Sequence, residues 1–138
     1  MGRRGLSRVL LDTHVWAWSL ADDKRLSSRA FDAIAAAEAV SVSAISLYEI
    51  GQKVRLGKWP EMEPHFLDLD KFAARQGVEL LAVWPSACLV GAAFQWNHRD
   101  PFDRIIGATA LVGEYTLISA DMIFDELADY PGWQGRLW

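Results

Sequence analysis

The sequence predicts an α/β fold: a parallel sheet of four to five strands with helices on both faces, in one domain over residues 1–138. Three observations predict it. Short apolar runs of strand length alternate with longer stretches of helical periodicity along the chain. Prolines and glycines fall where those helices would start and stop. A length of 138 residues, with 51% hydrophobic and 23% charged side chains, suits a single globular core that needs no disulfide.

The elements follow in order. Residues 8–11 read as a buried strand that ends at Asp12, and a short aromatic helix is expected over 14–20. "DDKR" is a turn, after which Ser27 or Ser28 caps an alanine-rich helix to about residue 39. Residues 40–43 form a second strand, and a helix from 45 to 56 is stopped by Gly57. "KWPEMEP" reads as a loop closed by Pro64, with helix resuming through "HFLDLDKFAARQ" to Gly77. A third strand covers 78–83. Pro85 opens the next helix, and Pro101 opens another that runs to Gly113, because proline suits the first helical position. Residues 115–119 make a fourth strand and 122–128 a short helix, and "GWQGRLW" offers a fifth strand. Helices between successive strands force parallel pairing.

Composition narrows the function. Fourteen basic and eighteen acidic side chains leave a net charge of −4, which speaks against coating long DNA and permits an enzyme that handles a short piece of RNA. No apolar stretch approaches a membrane span. The basic N-terminal residues are followed only by Val9-Leu10-Leu11 before Asp12, so no secretory segment is expected and the cytoplasm is the expected compartment. The single cysteine, Cys88, lies in an apolar run and is expected as a small buried hydrophobe.

The acids carry the chemistry. In a parallel sheet, ligands bind beyond the carboxyl ends of the strands. Asp12 ends the first strand and Asp121 follows the fourth. Asp100 and Asp103 open the helix that leads into the fourth strand, and Glu49 stands about a turn into the helix after the second. Each has a plain local explanation: Asp12, Asp100 and Asp121 as helix caps, Glu49 as an i,i+4 partner of Lys53. Five acids reaching one pole repel one another unless a cation joins them. Oxygen ligands point to Mg²⁺ or Mn²⁺, and His14, His65 and His98 lack zinc spacings. Such a cluster suits phosphodiester hydrolysis.

Four motifs, "LLDTHVWAW" at 10–18, "SLYEIGQK" at 46–53, "HRDPFDRIIGATAL" at 98–111 and "LISAD" at 117–121, closely resemble the PIN domain, in particular VapC-type toxins of bacterial toxin–antitoxin pairs. The motifs stand in family order over nearly the whole chain. The resemblance implies a Rossmann-like sheet of order 3-2-1-4-5 and a Mg²⁺- or Mn²⁺-dependent ribonuclease. Its acid quartet maps onto Asp12, Glu49, Asp103 and Asp121. Asp103 is the third acid because it stands three residues before the isoleucine of "IGATA"; Asp100 is then a cap or a neighbour of the metal ligands. Glu49 is the candidate for orienting or deprotonating the attacking water. Thr13 is expected to hydrogen-bond a metal ligand, and His14 to pack on its helix. Arg104, Arg99, Lys53 and Arg55 are candidates for phosphate contacts. Gly107, where alanine is commoner in the family, is expected to ease helix–sheet packing. The resemblance further implies a homodimer held inactive by a VapB-type antitoxin, with Trp16, Trp18 and Trp59 weighed as lining its groove or packing in the core.

Three rivals were weighed. An aspartyl-nucleophile phosphatase needs a second aspartate two residues after the first, where this chain has His14. A non-catalytic binding module has no need of a complete quartet. A PIN-like RNA-processing nuclease without a toxin role shares the chemistry and differs in its neighbours.

Overall fold

A computed structural model describes residues 8–138; the basic N-terminal stretch otherwise lies outside them. Five strands, β1 (Arg8–Leu11), β2 (Ala39–Ser43), β3 (Glu79–Leu81), β4 (Thr116–Ile118) and β5 (Arg136–Leu137), form one sheet of order β3-β2-β1-β4-β5. Every neighbouring pair is parallel. This is the expected architecture, with the full five strands. β1 is central because Val9, Leu10 and Leu11 are all buried, the continuous apolar run of a strand covered on both faces.

Among the described residues, six α-helices flank the sheet: α1 (Thr13–Ala21), α2 (Ser28–Ala36), α3 (Ile45–Arg55), α4 (Leu69–Gln76), α5 (Pro85–Ala93) and α6 (Pro101–Gly113). The period-2 alternation of β1 splits the core. Val9 and Leu11 join Val15, Trp16, Ile50 and Leu69 on one face. Leu10 joins Ile106, Leu117, Phe124 and Leu127 on the other. Ser27, rather than Ser28, caps α2 by accepting the Ala30 N–H at 3.0 Å, and Gly77 ends α4 at φ +76°.

Two local expectations are corrected. Residues Pro60–Asp68, read as a loop running into a helix, form a 3₁₀ helix that precedes α4. Pro64, inside the segment, lacks the N–H that an α-helix needs, and burial of Met62 with the preceding Trp59 pulls the segment onto the core. The short helix expected over 122–128 is present, as a 3₁₀ helix at Met122–Leu127. Cys88 is exposed, because α5 turns Ala87 and Gly91 inward at i,i+4 spacing and leaves position 88 outside. The closest packing at Gly107 is to the Met122–Leu127 helix: an added Cβ would lie 2.8 Å from Leu127 Cδ1. No helix among the described residues is long and apolar enough to cross a membrane.

Candidate active site

Beyond the carboxyl ends of the strands lies a cavity of about 560 Å³. Asp12, Glu49, Asp100, Asp103 and Asp121 all line it, with Lys53, His14 and His98. The five acids predicted to meet at one pole therefore do share one cavity.

Asp12 follows β1 and caps α1, its Oδ1 accepting the Val15 N–H at 2.8 Å. Its Oδ2 accepts the Ser119 hydroxyl in a short hydrogen bond. The same Ser119 oxygen accepts the Asp121 N–H at 3.0 Å, and Asp121 Oδ1 accepts the Ile123 N–H at 3.0 Å. One serine at the end of β4 thus ties the first acid to the backbone of the fourth. Ser119 was missed in the sequence, although its place two residues before Asp121 was a signal.

Glu49 is buried on α3. Thr13 donates to its Oε1 at 2.5 Å, and Lys53 donates to its Oε2 at 2.9 Å. The plain ion-pair reading of Glu49 and its place in the acid cluster therefore both hold.

Asp100 caps α6, accepting the Phe102 N–H at 2.8 Å and the Asp103 N–H at 3.3 Å on Oδ1. Asp103 Oδ2 lies 2.7 Å from His98 Nε2. His98 is the second residue that sequence reasoning passed over, having weighed it only against zinc spacings. Among the described residues, the set whose ligand atoms all lie within 4.8 Å of one another is His98, Asp100 and Asp103. The four acids of the expected quartet share the cavity without forming so tight a group.

Arg104, expected at a phosphate, is committed elsewhere. Its Nε donates to the His98 carbonyl at 2.8 Å, its Nη1 to Gly91 at 2.7 Å and its Nη2 to Trp96 at 2.5 Å, with both terminal nitrogens 3.3 Å from the Phe94 carbonyl. The guanidinium staples the loop between α5 and α6, so the donors a phosphate would need are occupied. Arg99 and Arg55 are exposed.

Burial sets the electrostatics. Loss of hydration pushes Asp12 up to about 6, against the Ser119 and Val15 hydrogen bonds, with Asp103 and Glu49 adding repulsion. Asp103 is likewise pushed to about 6 by burial, opposed by His98 and reinforced by Asp100 and Glu49. Burial and the nearby Lys53 charge lower the His14 imidazole. An oxygen-rich cavity with five carboxylates and one lysine fits a hard divalent cation.

A pH dependence follows. Between about pH 4 and 6 the folded, metal-free protein binds protons on Asp12 and Asp103 that the unfolded chain has released. That contribution is complete below the unfolded values and is lost as pH rises through about 6, on the order of 2–3 kcal/mol per group. In chelator, the urea midpoint of wild type is expected to fall relative to that of Asp103→Asn as pH rises from about 4.5 to 6.5. A difference that stays constant would remove the buried-carboxylate account.

The aromatic residues divide. Trp16 is fully buried, so the core reading holds and it lines no groove. The His14 ring lies 5.9 Å from that of Trp18, one turn along α1, so the expected packing on its helix holds, and it also stacks on Trp59 at 4.6 Å where it lines the cavity. Trp18 and Trp59 also line a neighbouring cleft of about 450 Å³ with Met62, His65 and Phe72.

A family model described as "PIN domain" matches residues 9–130. Ribonuclease VapC22 of Mycobacterium tuberculosis is 32% identical over 117 residues, covering 84% of this chain and 88% of that protein. Among solved structures, VapBC2 from Rickettsia felis bound to a DNA fragment from its promoter aligns with a TM-score of 0.65 at 15% identity, covering 94% of this chain and 98% of that one. A toxin–antitoxin complex from Klebsiella pneumoniae aligns with a TM-score of 0.61 at 18% identity, covering 94% and 96%. At those identities the structural likeness speaks for the fold.

Proposed function

This chain belongs to the PIN domain family, and we propose that it is a metal-dependent endoribonuclease acting as the toxin of a toxin–antitoxin pair. The observation that carries the reading is the meeting of Asp12, Glu49, Asp103 and Asp121, from four separate segments, in one cavity.

Those four acids would hold Mg²⁺ or Mn²⁺, which when bound supplies a water of lowered pKa and stabilises charge on the phosphate and the leaving oxygen. The chain's own residues do the positioning. Ser119 aims Asp12, and Thr13 aims Glu49. His98 holds Asp103, and the Arg104 staple holds the His98 backbone. Glu49, buried at the cavity wall, is the residue placed to orient the attacking water or take its proton. Lys53 and the exposed Arg99 and Arg55 are the remaining candidates for phosphate contact.

Incubating purified RNAs, tRNAs included, with Mg²⁺, with Mn²⁺ and with chelator tests the reading. Cleavage is expected only with metal, and Asp103→Asn is expected to abolish it. Asp100→Ser is expected to keep much of the activity, because serine still caps α6. A loss as complete as that of Asp103→Asn would make Asp100 a metal ligand, as its closeness to Asp103 and His98 allows. Metal-independent cleavage would end the mechanism.

The partner in this reading is a small VapB-type antitoxin that covers the cavity and the adjoining cleft at Trp18 and Trp59, with the toxin a homodimer in the cytoplasm. A short reading frame beside the gene, encoding a protein with a DNA-binding N-terminal half, is the expected neighbour. Its absence favours an RNA-processing role for the same chemistry.

A further inference from the structure

We propose that Lys53 is a resident counter-ion for Glu49: it competes with the divalent cation for that carboxylate and, once displaced, turns to the RNA phosphate. The proposal rests on the metal-dependent ribonuclease reading above.

The two oxygens of Glu49 are held in different ways. Oε1 accepts the Thr13 hydroxyl at 2.5 Å, and Thr13 Oγ1 lies 2.8 Å from Ser46 Oγ. Because the Thr13 proton goes to Glu49, the Ser46 hydroxyl donates to Thr13, and a buried, neutral relay fixes that oxygen. Oε2 is held by the Lys53 ammonium at 2.9 Å, one helical turn along α3. Glu49 is 4% exposed, whereas the Lys53 side chain keeps 31% of its surface. The relay is thus built in, and the ammonium is free to leave.

The surroundings add to the argument. Among the described residues, Lys53 is the sole lysine or arginine lining a cavity with five carboxylates. Its ammonium lies 5.6 Å from the centre of the Trp59 ring, on which His14 is stacked. The groups facing it are therefore one buried acid, one indole and one imidazole. An exposed i,i+4 pair contributes only a few tenths of a kcal/mol. Here the acid is desolvated and the indole covers the lysine, so the pair competes with a cation at that oxygen. A displaced lysine stays at the cavity on a flexible stem and binds phosphate as a point charge.

Mn²⁺ binding to the full chain, read by the paramagnetic resonance of free Mn²⁺ at pH 7.5 without RNA, tests the competition. Lys53→Met keeps the stem and removes the charge; it is expected to bind Mn²⁺ about ten-fold more tightly. Lys53→Arg keeps the charge and is expected to match wild type, and Lys53→Gln replaces the methionine variant if that fails to fold. Equal or weaker Mn²⁺ binding by the uncharged variant overturns the competition. Salt dependence of kcat/KM for RNA cleavage tests the transfer to phosphate: the log–log slope is expected to become shallower by about 0.7 in Lys53→Met, one contact's worth on a single strand. An unchanged slope overturns that step. Wild type that bound no Mn²⁺ would overturn the metal reading itself, a result distinct from equal affinities.

Discussion

Asp12→Asn is expected to lower RNA cleavage by about 10³-fold or more while raising the melting temperature in chelator at pH 7.5 by several degrees. Both effects come from one carboxylate. Asp12 is 9% exposed, and burial with repulsion from Asp103 and Glu49 pushes it up to about 6. At pH 7.5 the metal-free fold therefore holds an ionised group that its surroundings disfavour. Asparagine removes the charge and keeps the local structure. Its side-chain oxygen still accepts the Val15 N–H, since asparagine caps as well as aspartate. Its amide still reaches Ser119, whose oxygen has a second lone pair beside the one that takes the Asp121 N–H. Gel-resolved cleavage and calorimetry with and without Mn²⁺ read the two effects. Wild type is expected to gain stability on adding Mn²⁺ and the variant to gain little. Cleavage retained at wild-type rate would overturn the role of Asp12, and a lowered melting temperature would overturn the strain attributed to its charge.

Arg104→Met is expected to destabilise the fold by about 3–5 kcal/mol, because the lost side chain joins several backbone acceptors at once. Its guanidinium reaches the carbonyls of Gly91, Phe94, Trp96 and His98, which helix hydrogen bonds do not otherwise satisfy at this turn between α5 and α6. Methionine fills the space of the stem and leaves the carbonyls bare. Arg104→Lys is expected to recover less than half of the loss, since an ammonium does not present a planar fork. Urea unfolding with an unchanged slope reads the loss as stability. At low temperature, where the variant remains folded, cleavage is also expected to fall, because the loop that carries His98 to Asp103 has lost its staple. A midpoint close to that of wild type would overturn the assignment of Arg104 to the loop.

The elements were legible because their signals are local. "VLL" before Asp12 reads as a covered strand, and Asp100-Pro101 before an apolar helix predicts the start of α6 to the residue. The misreadings arose where tertiary contacts outweighed pattern. Phe66 lies against α3, where a Cβ on Gly51 would come within 2.5 Å of its ring. That packing, with Pro64, makes a 3₁₀ segment of an expected loop. Cys88 sits in an apolar run, but the inward face of α5 belongs to Ala87 and Gly91, where an added Cβ on Gly91 would meet the Arg104 carbonyl at 2.8 Å.

By itself the sequence determined which elements form, their parallel pairing and which acids reach the carboxyl edge of the sheet. Those follow from periodicity, caps and the rule that crossover helices begin at that edge. Only the tertiary structure decided what each charged group faces. Arg104 turned from phosphate to carbonyls, His98 came to Asp103, and Ser119 joined Asp12 to Asp121. The physical reason is that a buried polar atom must find a partner wherever packing brings one. Those partners come from different strands, loops and helices, whereas the Glu49–Lys53 pair, one turn apart on α3, was legible in the sequence.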